Sequence, residues 1–264
     1  MHTLAVLPSR FASSRFPGKP LTPIAGKPMI QWVWEATSGA PGVDRVLVAT
    51  DDARIQAAVR AFGGEVVLTD PALPSGTDRV GAALESLGET FDVVLNIQGD
   101  EPAIHPETIA AVVSLMQRYP ELPMGTAACP FASAEELFNP NAVKVVTDDH
   151  HRALYFSRSP IPYLRNSSRF ELDFRPWMAP EQLKAFKRHL GIYAYRPETL
   201  RAFMKLPPHP LEQLEMLEQL RALGAGMAIG VADSAYPSLG VDTPADVPLV
   251  EAVLVERIKA AASR

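Results

Sequence analysis

Short apolar runs alternate with amphipathic stretches through the first half of the chain, and no other feature limits the fold as tightly. Thr3–Pro8 (TLAVLP), Arg45–Thr50 (RVLVAT), Glu65–Thr69 and Asp92–Gln98 (DVVLNIQ) read as strands. Met29–Ser38 sets Met29, Ile30, Val33 and Trp34 at helical spacing. Asp51–Phe62 does the same with Ile55, Ala58, Val59 and Phe62, and Gly63 stops it. Thr77–Leu87 turns Val80, Ala83, Leu84 and Leu87 inward before Gly88, and Pro106–Arg118 is a further helix. Strands in alternation with helices predict an α/β fold, a mostly parallel open twisted sheet flanked by helices and joined by right-handed crossovers.

The middle of the chain reads differently. Met124–Cys129, Val143–Thr147, Ala153–Ser157 and Leu190–Tyr195 read as strands, the second and third joined across Asp148–His151 as a hairpin. Pro160–Pro180 is irregular, a surface excursion centred on Asn166, Ser167 and Ser168. Pro210–Leu223 predicts one strong helix with a stripe of Leu211, Leu214, Leu217, Leu220 and Leu223. Met227–Val231 reads as a strand and Pro244–Ile258 as a closing helix. The expected organisation is one α/β domain over 1–264, its core in 1–123 and 196–264, with 124–195 as a smaller strand-containing lobe for dimerisation. A chain of 264 residues buries most of its unfolded surface and needs no staples.

Charge and cysteine usage exclude several roles. A net charge of −5 argues against wholesale binding of a nucleic-acid backbone, which asks for a basic footprint. The single cysteine, Cys129, rules out an intrachain disulfide and suits a reducing cytoplasm. The early apolar run Leu4–Leu7 ends at Pro8, too short for a signal peptide's core, and no run approaches a membrane span. His150–His151 reads as a turn, and the histidines show no metal-ligand spacing.

Four segments carry candidate chemistry. Pro8–Pro20 (PSRFASSRFPGKP) leaves the carboxyl end of a strand, where open α/β sheets bind ligands. Its Arg10, Arg15, Lys19, hydroxyls and Gly18 are what a triphosphate needs, namely cations and close backbone N–H groups. The composition equally describes a solvated basic loop, and Lys19 followed by proline is not a Walker pattern. Gln98-Gly99-Asp100-Glu101-Pro102 follows a strand, so Asp100 can point into the ligand crevice and hold a cation. Alone it reads better as a strand-ending turn. Gly240–Pro244 opens the last helix, with Asp242 as cap or metal ligand, the cap favoured. Pro74–Arg79 precedes a helix and reads by itself as an ordinary N-terminus capped by Thr77.

Taken together, these segments resemble the 3-deoxy-manno-octulosonate (Kdo) cytidylyltransferases, the CMP-Kdo synthetases, over nearly the whole chain. The phrases that carry the resemblance are PSRFASSRFPGKPL (8–21), GKPMI (26–30), VATDD (48–52), SGTDR (75–79) and NIQGDEP (96–102). FNPNAVKVV (138–146), ALYFSR (153–158), RHLGIYAYR (188–196), PLEQLEMLEQLR (210–221) and GVDTPAD (240–246) continue it. The resemblance implies a nucleotide-diphospho-sugar transferase-like fold, a homodimer formed through the smaller lobe, Mg²⁺ as cofactor, and CTP and Kdo as substrates. It implies transfer of CMP to Kdo's anomeric hydroxyl, with release of pyrophosphate, for lipopolysaccharide biosynthesis. It gives Lys19, Arg10 and Asp100 catalytic roles, Arg10 and Lys19 on the CTP phosphates. Ser75, Gly76 and Gln98 then lie by the cytidine, with Pro8, Ser9, Arg15 and Arg79 also in the nucleotide site. Asp100 and Asp242 bind Mg²⁺, and Arg158, His189, Tyr193, Glu218 and Gln219 line the sugar pocket. Ser9 stands where alanine is expected, and Ser159–Lys187 is longer than in familiar members. Three rivals are a cytidylyltransferase for amino-Kdo or a sialic acid, a glycosyltransferase, which would carry Asp-x-Asp after a strand, and a non-catalytic nucleotide sensor.

Overall fold

A computed structural model describes residues 1–12, 16–165 and 180–262. The strands are β1 (Thr3–Ser9), β2 (Pro23–Ile24), β3 (Lys27–Pro28), β4 (Arg45–Thr50), β5 (Glu65–Leu68) and β6 (Val93–Ile97). They continue as β7 (Met124–Pro130), β8 (Lys144–Thr147), β9 (Ala153–Ser157), β10 (Lys187–Tyr195) and β11 (Ile229–Asp233). The helices are α1 (Met29–Ser38), α2 (Ala53–Ala61), α3 (Gly76–Leu87), α4 (Pro106–Arg118) and α5 (Ala134–Phe138). After them come α6 (Pro180–Leu183), α7 (Pro197–Phe203), α8 (Pro210–Glu215), α9 (Gln219–Gly224) and α10 (Val247–Ala262).

Every residue of β1 is buried, so both faces of this strand are covered, as in parallel α/β sheets. Side chains alternate along it. Ala5 and Leu7 join one core layer with Ile30 and Val33 of α1, Ile55 and Val59 of α2 and Ile109 and Val112 of α4. Leu4 and Val6 join the opposite layer with Val80 and Leu84 of α3, Leu200 of α7 and Leu220 of α9. The sheet runs β11-β7-β10-β6-β1-β4-β5. β10 is antiparallel to both of its neighbours, β6 and β7. The other pairs on that path are parallel. A third apolar cluster packs α10, through Val250 and Leu254, onto Ile24, Met29 and Val241. No helix among the described residues is long and apolar enough to cross a membrane.

Within residues 124–195, β7 and β10 lie inside the main sheet, and the β8–β9 hairpin is off its path. The reason is β10, whose nine residues pair with β6 on one side and β7 on the other. The cap of α3 is Ser75, not Thr77. Ser75 has extended backbone, and its Oγ accepts from the Asp78 N–H at 3.1 Å, while Thr77 turns its hydroxyl to Glu218. Pro210–Leu223 is two helices, because Met216 adopts the left-handed conformation at φ +52°. The leucine stripe therefore divides, with Leu217 and Leu220 buried and Leu214 81% exposed. Arg158 holds the break. Its Nε donates to the Glu215 carbonyl at 2.6 Å and its Nη2 to the Met216 carbonyl at 3.2 Å, satisfying groups that a continuous helix would have paired.

A left-handed non-glycine residue costs about 1–2 kcal/mol, and Met216 is 76% exposed, so little packing offsets that cost. We expect Met216→Gly to raise stability by about 0.5–1 kcal/mol, after allowing for glycine's unfolded-state entropy. A higher urea midpoint at unchanged m-value checks it, and a lower midpoint contradicts it.

Candidate active site

Because β1 and β6 are parallel neighbours, their carboxyl ends lie side by side, and the loops leaving them share one crevice. The loop after β1 returns through Gly18, at φ +72°, whose N–H donates to the Phe11 carbonyl at 2.9 Å. A left-handed residue is required to launch the following turn, Lys19–Leu21, and glycine supplies it without strain. The turn aims Lys19 into the crevice. Its Nζ donates to Asp100 Oδ2 at 2.7 Å and to the Val241 carbonyl at 2.8 Å. The Val241 N–H donates to the Asp100 carbonyl at 2.9 Å, so the loops bearing Asp100 and Asp242 are joined directly. Segments that begin at residues 8, 98 and 240 thus meet around one ammonium group.

Gly99 permits this approach. A Cβ there would sit 2.9 Å from the Pro8 carbonyl and 2.3 Å from Ser9 Oγ. Ser9 is buried and its hydroxyl has no hydrogen-bond partner among the described residues. Asp100 and Asp242 offer two carboxylates, and no group of three or more acidic, histidine or cysteine side chains among the described residues gathers to cage a metal. Two carboxylates suit a hard divalent cation that completes its shell with water and phosphate oxygens, and do not suit a structural zinc site.

Glu101 belongs to this site, although sequence reasoning gave it no role. Its carboxylate accepts from Ser238 Oγ, and a Cβ on Gly240 would lie 3.2 Å from its Oε1. Burial pushes its carboxyl up to about 7, and the charges of Asp100 and Asp242 push the same way. The only hint in the sequence is its place beside Asp100, and turns commonly carry such acids.

The other nucleotide candidates lie around the same strand ends. Pro8 is buried in β1, and a Cβ on Gly76 would touch it at 3.5 Å and Gln98 Oε1 at 3.8 Å. Arg10 donates to the Leu73 carbonyl. Arg79 does not line the crevice: it is 0% exposed, donates to Thr69 and, at 3.2 Å, to Asp51, and its desolvation lowers its pKa. A buried arginine must be paired internally, and Asp51 at the end of β4 is its charge partner. Arg15 lies outside the described residues.

Four of the five sugar candidates lie close to this wall. Gln98 Nε2 donates to Asn96 at 3.2 Å, Asn96 Nδ2 to Thr77 at 3.3 Å and Thr77 Oγ1 to Glu218 at 2.6 Å. This chain of hydrogen bonds links a nucleotide candidate to a sugar candidate. Burial raises Glu218's pKa, partly offset by Thr77 and Arg221. The next residue, Gln219, is buried, and its Nε2 has no partner among the described residues. His189 and Tyr193 sit on β10 with ring centroids 5.4 Å apart, and burial raises the Tyr193 pKa. The fifth candidate, Arg158, is committed to backbone carbonyls at Glu215, Met216 and, at 2.9 Å, Pro140. These bonds use one N–H on each of its three nitrogens, and a guanidinium carries five.

Burial, helped by the charge of Arg188, lowers the His189 pKa to about 3, and its Nε2 lies 3.0 Å from Thr126 Oγ1. The imidazole stays neutral in the folded chain, whereas an unfolded one binds a proton below about 6.5. His189 therefore leaves stability unchanged above about pH 6.5 and subtracts from it as pH falls from there toward 3. Its share at about pH 5 is about 2 kcal/mol. We expect urea unfolding of His189→Gln to show that much less acid sensitivity than the parent, and identical pH profiles would refute the assignment.

A family profile described as cytidylyltransferase matches residues 4–229. A relative in Syntrophobacter fumaroxidans, named 3-deoxy-manno-octulosonate cytidylyltransferase, is 48% identical over 97% of this chain and 98% of its own. One in Shewanella baltica, named 8-amino-3,8-dideoxy-manno-octulosonate cytidylyltransferase, is 47% identical over 94% of this chain and 96% of its own. Among solved structures, a CMP:2-keto-3-deoxy-manno-octonic acid synthetase complexed with CTP superposes with a TM-score of 0.86 at 41% identity, covering 97% of this chain and 100% of that one. With matches of this extent, and with its basic loop and acidic turn brought together at the strand ends, the chain belongs to the cytidylyltransferase family.

Proposed function

We propose that this protein transfers CMP from CTP to the anomeric hydroxyl of Kdo, giving CMP-Kdo and pyrophosphate. The observation that carries the reading is the junction at Lys19, where its ammonium meets Asp100 and the loop of Asp242 within 2.8 Å. The likeness to a synthetase solved with CTP, and to a relative named for Kdo, supports it. The hydroxyl attacks the α-phosphorus in line, and such transfers depend on positioning and on charge stabilisation. Arg10 and Lys19 neutralise charge on the transferring and leaving phosphates. Gln98, Ser75 and Gly76 border the cytidine, and His189, Tyr193, Glu218 and Gln219 present polar groups to the sugar.

Asp100 and Asp242 would hold Mg²⁺, which when bound supplies Lewis-acid stabilisation of phosphate oxygens. Lys19 Nζ stands 2.7 Å from Asp100 Oδ2, so the phosphate-binding ammonium and this carboxylate are neighbours. The single cysteine suits a reaction in the cytoplasm.

We expect Asp100→Ala to lower pyrophosphate release from CTP and Kdo by about a hundredfold or more at any Mg²⁺ concentration. We expect Lys19→Ala to weaken CTP binding by about tenfold in calorimetry. Retained turnover in the first variant, or unchanged affinity in the second, defeats the reading. The 8-amino sugar, run in parallel, identifies the preferred acid: higher kcat/KM than Kdo would replace Kdo as substrate.

The working unit of this reading is a homodimer. Leu154 on β9, a strand of the hairpin off the main sheet's path, is a large apolar side chain that is 61% exposed. Such a side chain calls for cover, and a second copy provides it. Sedimentation is expected to give a dimer for the parent and a monomer for Leu154→Lys, while a monomeric parent contradicts the proposal.

A further inference from the structure

Away from the crevice, a cavity of about 600 Å³ opens between α1, the start of α4 and the end of α10. Its walls include the apolar side chains Trp32, Ile104, Leu254 and Ile258. Two nitrogen-bearing side chains, His105 and Arg257, also line it. Arg257 has no carboxylate partner among the described residues. Its one hydrogen bond there is a long one, from Nη1 to the Ile104 carbonyl at 3.4 Å, and burial lowers its pKa. A desolvated guanidinium without a counter-charge is costly unless something supplies one.

His105 adds a second donor. It caps α4, its Nδ1 accepting from the Glu107 N–H at 3.3 Å, and it stacks on Tyr236 with centroids 3.6 Å apart. With Nδ1 used as acceptor, the proton of the neutral ring sits on Nε2. Burial lowers the His105 pKa, and the charge of Arg257 lowers it further, so the two groups sense each other. The positive end of a helix of 13 residues lies at the same place.

A single acid also borders the cavity. Glu35 accepts from Lys27 Nζ at 2.7 and 2.9 Å and from Gln31 at 2.9 Å, so its own charge is matched. It still disfavours a ligand with two negative charges. The volume exceeds what a bare ion fills and falls within the range of small-molecule sites.

We propose that this cavity is a binding site for a small amphipathic monocarboxylate, its carboxylate on Arg257 and His105 Nε2–H and its apolar body against Trp32, Leu254 and Ile258. The site stands apart from the sugar-acid pocket, which is built on β10 and α9. It shares a boundary with the acidic turn, since Pro102 lines it and the Ile104 N–H donates to the Glu101 carbonyl at 2.9 Å.

The test is calorimetry on the full chain saturated with CTP, with hexanoate as probe and hexan-1-ol as its neutral counterpart. Hexanoate is expected to bind saturably, and hexan-1-ol about tenfold or more weakly. Arg257→Gln is expected to weaken hexanoate by a similar factor. Ile258→Glu, at a half-exposed position that tolerates a polar group, is expected to do so by placing a like charge in the cavity. Equal binding of the alcohol, or hexanoate binding unchanged in either variant, overturns the proposal. Displacement of hexanoate by inorganic phosphate overturns the amphipathic reading, and displacement by Kdo overturns the separate site.

Discussion

The contact between Lys19 and Asp100 holds the crevice in shape. An exposed ion pair of this kind contributes little, but Lys19's side chain is only 11% exposed, and it also donates to the Val241 carbonyl. Losing the carboxylate would strand a partly buried ammonium, and losing the lysine would remove the charge partner 2.7 Å from Asp100. The contact exists because β1 and β6 run parallel and side by side, because Gly18 turns the first loop back, and because Gly99 lets the acidic turn press against Pro8. Each of these conditions lies in a different part of the chain, so the crevice forms only when the sheet has closed.

A second set of bonds starts beside the first, at Gln98. Gln98, Asn96, Thr77 and Glu218 form a chain that crosses from β6 over α3 to the start of α9. Buried polar chains of this sort are stable only when their members are satisfied together. A nucleotide that takes the Gln98 amide changes what Asn96 can accept, and the change passes to Thr77 and Glu218. On the proposed reading, this couples the cytidine wall to the sugar wall without any moving lid.

Much of the layered fold was legible in the sequence, because apolar periodicity reports burial and burial is what the sheet demands. Met29–Ser38, Arg45–Thr50, Pro106–Arg118 and Ala153–Ser157 begin and end where the pattern places them. The leucine stripe of 210–223 misled because spacing is local while its interruption is not. Met216 turns left-handed where Arg158, some sixty positions earlier, can take the freed carbonyls. Thr77 reads as the cap of α3, but Glu218 draws its hydroxyl away and Ser75 takes the Asp78 N–H instead. Glu101 escaped notice because its partner Ser238 is remote in sequence, and Arg79 was misread because its partner Asp51 stands at the end of a different strand.

The two halves of the crevice differ in electrical character, and that difference bears on the chemistry. Around β1 and the acidic turn stand the ionisable side chains Lys19, Arg10, Asp100 and Asp242, the types that phosphate handling requires. On β10, burial holds His189 and Tyr193 neutral. His189 cannot accept a proton in the physiological range, and Tyr193 cannot lose one. Neither can therefore serve as a general base for the attacking hydroxyl, which needs a group titrating near the working pH. What they can do is donate or accept hydrogen bonds with fixed polarity, and Gln219 adds an N–H without a partner among the described residues. On the proposed reading, such a wall would recognise the hydroxyls of a sugar by leaving its own donors unsatisfied when the wrong one enters. On the same reading, activation of the hydroxyl would fall to the side of Lys19 and Asp100, where the loops after β1 and β6 meet.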